Sequence, residues 1–399
     1  MGERATVPPM DLDALKDRLV AEVDARADVL VEVSRAIHAN PELNYEEHFA
    51  HDRLTDALEA EGLEPTRSAF DLATAFSAEA GSAGPNIAIL LEYDALPGIG
   101  HACGHNIIAA AGLGAGLAAA AVAPEAGGRV RILGSPAEEG GGGKVLMVRR
   151  GALDAVDAAM MIHPADRDLT RIDAIAVQQV VATYHGEAAH AAAAPERGRN
   201  ALDAAVLGYQ AVAALRQHIG AAERIHGVFT DGGDKPNIVP ARAESYWFVR
   251  SPTVAGLEAL KPRVLACLQA GADATGCTMT HEWDDRPYFD MRDNAAMLDA
   301  WSANCARLGR TVEVPTPRTA VVGSTDMGNV SYEVPSIHPM IAVAPHGTAI
   351  HTEAFAAHTA SDAADLAVLD GAKAMAMTVA DLWADAGVLT RARAEFASG

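Results

Sequence analysis

The chain has 399 residues, half of them hydrophobic and 21 % charged, with a formal net charge of −22. That length exceeds one ordinary core and predicts two domains, and the composition excludes a disordered chain. The anionic balance repels phosphate backbones and argues against a polybasic membrane anchor, so neither nucleic acid nor membrane is expected as a partner.

Four cysteines, Cys103, Cys267, Cys277 and Cys305, form no C-x-x-C pair, which predicts a reducing, cytoplasmic setting. The first twenty residues carry acids early and no apolar h-region, so no signal peptide is expected. MGERAT fits the loose myristoylation pattern, a match that chance explains.

In chain order, residues 15–36 read as helix and 86–91 (NIAILL) as a buried parallel strand. A helix of Ala, Gly and Leu follows from Ile107. Its apolar run ends at Ala123, shorter than the roughly 20 residues of a membrane span, and predicts packing against a sheet. Residues 130–133 (VRIL) and 158–162 (AAMMI) are two further short strands. Each strand leads to polar side chains: Glu92 and Asp94, then Glu138 and Glu139, then His163. Ligands of open α/β sheets bind beyond the carboxyl ends of the strands, so three pieces of sequence deliver carboxylates and imidazoles to one edge.

From residue 176 the pattern changes. A long mixed strand, a helix over 200–218, two strands (HGVFTDGG and ARAESYWFVR), a helix over 254–270 and a last strand (TMTHEWDD) give the order β-α-β-β-α-β. The helix over 294–308 and the segment 335–344 then resume the α/β character, and an Ala-rich helix over 360–386 ends the chain. The expected architecture is a discontinuous α/β domain, 1–175 and 290–399, with an α+β domain inserted at 176–289.

The chemistry concentrates at HACGHN. Thiolate and imidazole are preferred ligands of zinc and similar metals, and Gly104 permits a turn that aims Cys103 and His105 at one place. The paired carboxylates of PAEEGGGG suit a division of labour in which one binds metal and the other takes a proton from water. GGGGKV is not a phosphate loop, because G-x-x-x-x-G-K-[ST] requires Gly at 138 and Ser or Thr at 145, where this chain has Glu138 and Val145. GLGAG at 112–116 lacks dinucleotide spacing and reads as close helix packing. No G-x-S-x-G elbow is present.

EYDALP…GHACGHN, PAEEGGGG, IHP and GEAAHAAAAPERGRNALDA together resemble the family 20 metallopeptidases of clan MH, over nearly the whole chain from IHANPELNYEEH onward. Within that family they resemble the amidohydrolase branch of hippurate, indole-acetyl amino acid and aminobenzoyl-glutamate hydrolases. The resemblance implies a two-metal peptidase sheet domain, a lid and dimerisation domain, and a homodimer. It implies two divalent metal ions, zinc first with manganese or cobalt as alternatives, held by Cys103, His105, Glu139, His163 and a histidine of HGTAIHTEAF. His351 fits the family's His-x-x-x-F spacing better than His346. It casts Glu138 as general base, Asp94 as the acid that orients a ligand, His190 as an oxyanion donor acting within or across subunits, and Asn237 and Arg250 as substrate holders. Glu92 stands where many relatives carry a metal-binding histidine. Asn106, where hippurate hydrolases often have Asp, and GSTDMGNVS at 323–331 lean towards the aminobenzoyl-glutamate and dipeptidase side.

The expected reaction is metal-dependent hydrolysis of the amide of an N-acyl amino acid. A dipeptidase or carboxypeptidase is the alternative, and a metal- or amino-acid-binding protein without turnover is the alternative outside enzymes.

Overall fold

The computed structural model describes residues 11–398, so the readings of the N-terminal motif fall outside the described residues. Contacts divide the chain into two compact units. One contains residues up to Asp173, Met291–Val322 and Asn329 onward; the other contains Ala174–Asp290 and Gly323–Gly328.

The first unit is a mixed α/β fold, as expected. It opens with helices α1 (Leu12–Asp24), α2 (Ala27–Ala39) and α3 (His48–Ala60). The single helix read over 15–36 is thus two. Between them Arg26 departs from helical geometry while its guanidinium hydrogen-bonds the Glu22 carbonyl and carboxylate and the Glu61 carboxylate. Six strands form the central sheet: β1 (Thr66–Arg67), β2 (Phe76–Ala80), β3 (Asn86–Glu92), β4 (Arg129–Ser135), β5 (Ala158–Met160) and Ser336–Ile337. Their order is β1-β2-β4-β3-β5 and then Ser336–Ile337, with β3, β4, β5 and the last strand parallel and β1 and β2 antiparallel. Every residue of β3 is buried, which is why it reads as an uninterrupted apolar run.

Helix α4 (His105–Ala126) follows β3 and is buried on nearly every face. It is long and apolar enough to cross a membrane by composition, but 83 % of that window lies inside the fold. Gly112, Gly114 and Gly116 are sites of close packing: an added Cβ would strike Leu91, Leu30 and Ile132 respectively. Strand β6 (His163–Ala165) pairs in parallel with Met340–Ala342. The terminal helix Asp362–Ala384 is followed by a second helix, Ala386–Ser398, after Asp385 adopts extended geometry. That last helix interrupts the expectation of one long Ala-rich terminus.

The second unit follows the β-α-β-β-α-β order: strand Ala176–His185, helix Ala201–Leu215, strands Arg224–Asp231 and Arg242–Ser251, helix Val254–Thr275 and strand Thr278–Trp283. The sheet is antiparallel, with Arg224–Asp231 and Thr278–Trp283 at its edges, and its core includes Trp247, Tyr184 and Leu268. Residues 323–328 join this unit. Ser324 Oγ donates to the Ile175 carbonyl, and Gly328 lies so close to the Phe289 carbonyl that a Cβ would meet it at 2.1 Å.

A buried acid in the first unit yields a pH test. Among the described residues Asp293 has only Arg171, at 3.8 Å, as an ion partner; its Oδ1 is buried without a hydrogen bond, and burial raises its pKa to about 7. A raised carboxyl favours folding while protonated, so stability is lost as pH rises from about 4 through 7. Asp293→Asn is expected to be more stable than wild type at pH 8, by an order of about 2–4 kcal/mol, with the difference vanishing near pH 4. Chemical denaturation at both pH values checks this.

Candidate metal centre

The carboxyl ends of β3, β4 and β5 open onto one edge of the first unit. β3 ends at Glu92, two residues before Asp94; β4 ends at Ser135, three before Glu138; and His163 begins the strand that follows β5. Cys103 reaches the same place through Gly104. That residue has φ +80°, and a Cβ on it would stand 2.8 Å from Pro164, so both conformation and space require glycine. Immediately after it α4 begins with His105.

Two groups of potential ligand atoms form around one thiol. Cys103, His105 and His163 are the first; Cys103, Glu139 and His351 are the second, and within each group the ligand atoms lie within 4.8 Å of one another. Cys103 Sγ is 3.3 Å from His163 Nε2, and Glu139 Oε1 is 3.2 Å from His351 Nε2. His351 sits in left-handed backbone at φ 62°, with its N–H bound to the Ala102 carbonyl. Such non-glycine strain concentrates where side-chain placement matters. His346 is exposed and belongs to none of these groups.

These residues fit divalent ions by their donors and by what the donors lack. His105 Nε2 and Glu139 Oε1 are buried and make no well-directed hydrogen bond, although Glu92 Oε1 stands 3.3 Å from the first and His351 Nε2 3.2 Å from the second. In the first group each histidine's other nitrogen is engaged: His105 Nδ1 is 3.1 Å from Asp94 Oδ1, and His163 Nδ1 is 2.7 Å from the Pro164 carbonyl. That arrangement fixes the tautomer and leaves Nε2 for a cation. Asp94 does this twice over, since its Oδ2 accepts from the Glu139 N–H at 2.8 Å. Thiolate, imidazole and carboxylate are a zinc-type set.

A third group, Glu92, His105 and Glu138, also converges. Here Lys144 Nζ lies 2.5 Å from Glu92 Oε2, both side chains being about 1 % exposed. The ammonium already neutralises Glu92, which makes that carboxylate a charge partner for the site. Burial opposes ionisation of Glu92, but Lys144 and the neighbouring histidines overcome it and hold its pKa at about 2. Burial acts against a charge on His105 too, yet the Glu92 and Asp94 carboxylates raise its pKa well above the usual value. Burial lowers His163 to about 4, keeping its imidazole neutral and able to ligate. Burial, reinforced by Glu139, pushes the Cys103 thiol well above its usual range.

Lys144 and His338 carry no role in the sequence reading. His338 is fully buried, its ring edge-on to His163 at 5.5 Å, and burial drops its pKa to about 3. Lys144 was visible only as the end of a failed phosphate-loop match; its partner is 52 residues away.

The remaining candidates lie on the second unit. His190 is exposed, and its Nδ1 accepts from the Ala192 and Ala193 N–H groups, each at 3.2 Å. The proton therefore sits on Nε2, a free donor. Ile238 bridges His190, and the Asn237 carbonyl accepts from Ala191 N–H, so the His190 and Asn237 segments are adjacent. Arg250 has no carboxylate partner among the described residues. Its Nε is buried and unbonded, its Nη1 is 3.5 Å from Ser324 Oγ, and burial lowers its pKa.

The chain is similar to known hydrolases over its full length. It is 40 % identical to the Xaa-Arg dipeptidase of Mus musculus, over 99 % of this chain and 95 % of that protein. It is 29 % identical to one of the two p-aminobenzoyl-glutamate hydrolase polypeptides of Escherichia coli, over 94 % of this chain and 93 % of that protein. A Bacillus subtilis dinuclear metal-binding peptidase from the M20 family superposes with a TM-score of 0.69 at 21 % identity, over 90 % of this chain and 99 % of that one. The model of Peptidase family M20/M25/M40 matches residues 89–379, which hold Cys103, His105, Glu139, His163 and His351 and the whole second unit, and the chain belongs to that family.

Proposed function

We propose that this metallohydrolase is a dipeptidase that releases a basic C-terminal amino acid, using two divalent ions and Glu138 as general base. The observation that carries the substrate class is the 40 % identity to an Xaa-Arg dipeptidase across nearly both full lengths. It reverses the order of the sequence reading, which put N-acyl amino acids first and dipeptides second. The net charge of −22 supports the same choice, since an anionic protein draws a cationic substrate towards it.

In this reading Cys103, His105 and His163 would hold one ion, and Cys103, Glu139 and His351 the other. When bound there, the ions would supply Lewis acidity towards a carbonyl oxygen and lower the pKa of water. Glu138, 7 % exposed beside Glu139, takes a proton from the attacking water and returns it to the leaving amine. Asp94 keeps His105 and Glu139 in place. His190 Nε2–H donates to the developing oxyanion, and Arg250, half-buried with no carboxylate partner among the described residues, pairs with the substrate's carboxylate. Zinc is the first choice of metal, with manganese and cobalt as alternatives. A homodimer through the second unit is supported by its edge strand, where Val228 is 60 % and Phe229 42 % exposed, and by Val206 and Leu207 on the helix beside it. Four free cysteines, one of them needed as thiolate, suit a reducing, cytoplasmic compartment.

The test is a panel of Xaa-Arg and Xaa-Lys dipeptides, neutral dipeptides, N-acyl amino acids and aminobenzoyl-glutamate, with and without chelator, with released amines identified by mass spectrometry. Chelator-sensitive release of arginine or lysine in preference to all others is expected. Preferred cleavage of an N-acyl amino acid would overturn the dipeptidase reading in favour of the acyl one.

A further inference from the structure

The motif PELNYEE, residues 41–47, has no part in the mechanism so far, yet it grips the loop that carries both functional glutamates. Glu47 is fully buried, and its Oε1 accepts from the Ala137 N–H at 2.9 Å, one residue before Glu138. The same oxygen accepts from Tyr45 N–H, and Oε2 accepts from Thr74 Oγ at 2.7 Å. Asn44 Nδ2 donates to the Glu139 carbonyl at 2.7 Å, and Tyr45 Oη donates to the Gly141 carbonyl at 2.6 Å. Three alternate residues of one loop are thus held by three side chains of another.

The gripped loop needs holding. Ala137 lies in left-handed backbone at φ 59°, a conformation that persists in a non-glycine residue only where the surroundings impose it. Gly141 passes so close to Ala137 and Tyr45 that a Cβ would meet them at 2.5 and 2.9 Å. The gripping segment is itself anchored. The Glu42 carboxylate accepts from Phe49 and Ala50 N–H groups at the start of α3, and the Glu42 carbonyl accepts from Ala95 N–H, next to Asp94.

We propose that Asn44, Tyr45 and Glu47 are positioning residues, a clamp that sets Glu138 and Glu139 through the backbone of their loop. The proposal rests on the roles given above to those two glutamates. The device works by geometry: Asn44 acts on the ligand Glu139, and Glu47 on the approach to the base Glu138.

The test uses the full-length, zinc-reconstituted protein as Asn44→Ala, Tyr45→Phe, Glu47→Ala and Glu47→Gln. Zinc affinity is read by competition with a chromophoric chelator, which needs no substrate; kcat and KM are read on whichever amide the wild type cleaves. Asn44→Ala is expected to weaken zinc by about ten-fold or more. Glu47→Ala should lower kcat by about 100-fold with KM nearly unchanged. Glu47→Gln should restore most of kcat, because its amide oxygen accepts the same two N–H groups and its amino group donates to Thr74. Tyr45→Phe, the variant least able to disturb folding, should lower kcat several-fold at unchanged melting temperature. Wild-type zinc affinity in Asn44→Ala together with wild-type kcat in the folded fraction of Glu47→Ala would overturn the clamp. Equal impairment of Glu47→Gln and Glu47→Ala would overturn its geometric basis. Turnover surviving in Glu138→Gln would instead remove the base assignment, and the zinc measurement alone would then decide the clamp.

Discussion

Glu138→Gln is expected to lose turnover by about 10²–10⁴-fold while binding metal as the wild type does. The amide has the volume and shape of the carboxylate but cannot take a proton from water. Glu138 stands outside both ligand groups that share Cys103, and its Oε2 lies 4.0 Å from His105 Nε2. The lost interaction belongs to the transition state, so kcat and kcat/KM should fall together, with KM little changed. Glu139→Gln provides the contrast. Glu139 faces His351 and Cys103, and its replacement should reduce metal content as well as rate. Steady-state kinetics beside elemental analysis of the same samples separates the two glutamates. Wild-type turnover in Glu138→Gln would mean that the proton goes to another group.

How much of this was legible beforehand follows from the range of the interactions involved. Short apolar runs such as NIAILL announce buried parallel strands, because a strand covered on both faces has no reason to alternate. Their polar exits mark the edge where ligands gather, and that reasoning alone places Asp94, Glu138 and His163 near one another. The β-α-β-β-α-β order of the second unit was readable for the same local reason. The family resemblance rested on motifs in order, and the family match bears it out.

What stayed hidden depends on partners distant in sequence. Glu47 bonds to a backbone N–H 90 residues away, and Lys144 meets Glu92 across 52. Nothing local distinguishes such a glutamate from a solvated one in an acidic chain. Residues 323–328 crossed to the second unit through single contacts, Ser324 to Ile175 and Gly328 against Phe289, which no periodicity encodes. The break near Arg26 arose from one guanidinium turning back onto its own helix and across to Glu61, again a tertiary event.

Cys103→Ala is expected to lose more metal than any other single ligand replacement, because its sulfur is the one atom common to both groups. His163→Ala and His351→Ala each remove a ligand from one group only, so each should keep about one ion per chain, and Cys103→Ala should hold fewer. Elemental analysis after gel filtration reads the stoichiometry directly. The electrostatics add a second signal. Burial pushes the Cys103 thiol above its usual range, so metal loading is expected to release one proton more from the wild type than from Cys103→Ala. Cys103→Ser should behave like the alanine variant despite its similar shape, since a hydroxyl in that place does not ionise near neutral pH. Two tightly held ions in Cys103→Ala would contradict the shared-thiol arrangement and point to the remaining convergent group, Glu92, His105 and Glu138. Lys144 would then have to give up Glu92 to the metal, and Lys144→Met should strengthen binding in that background.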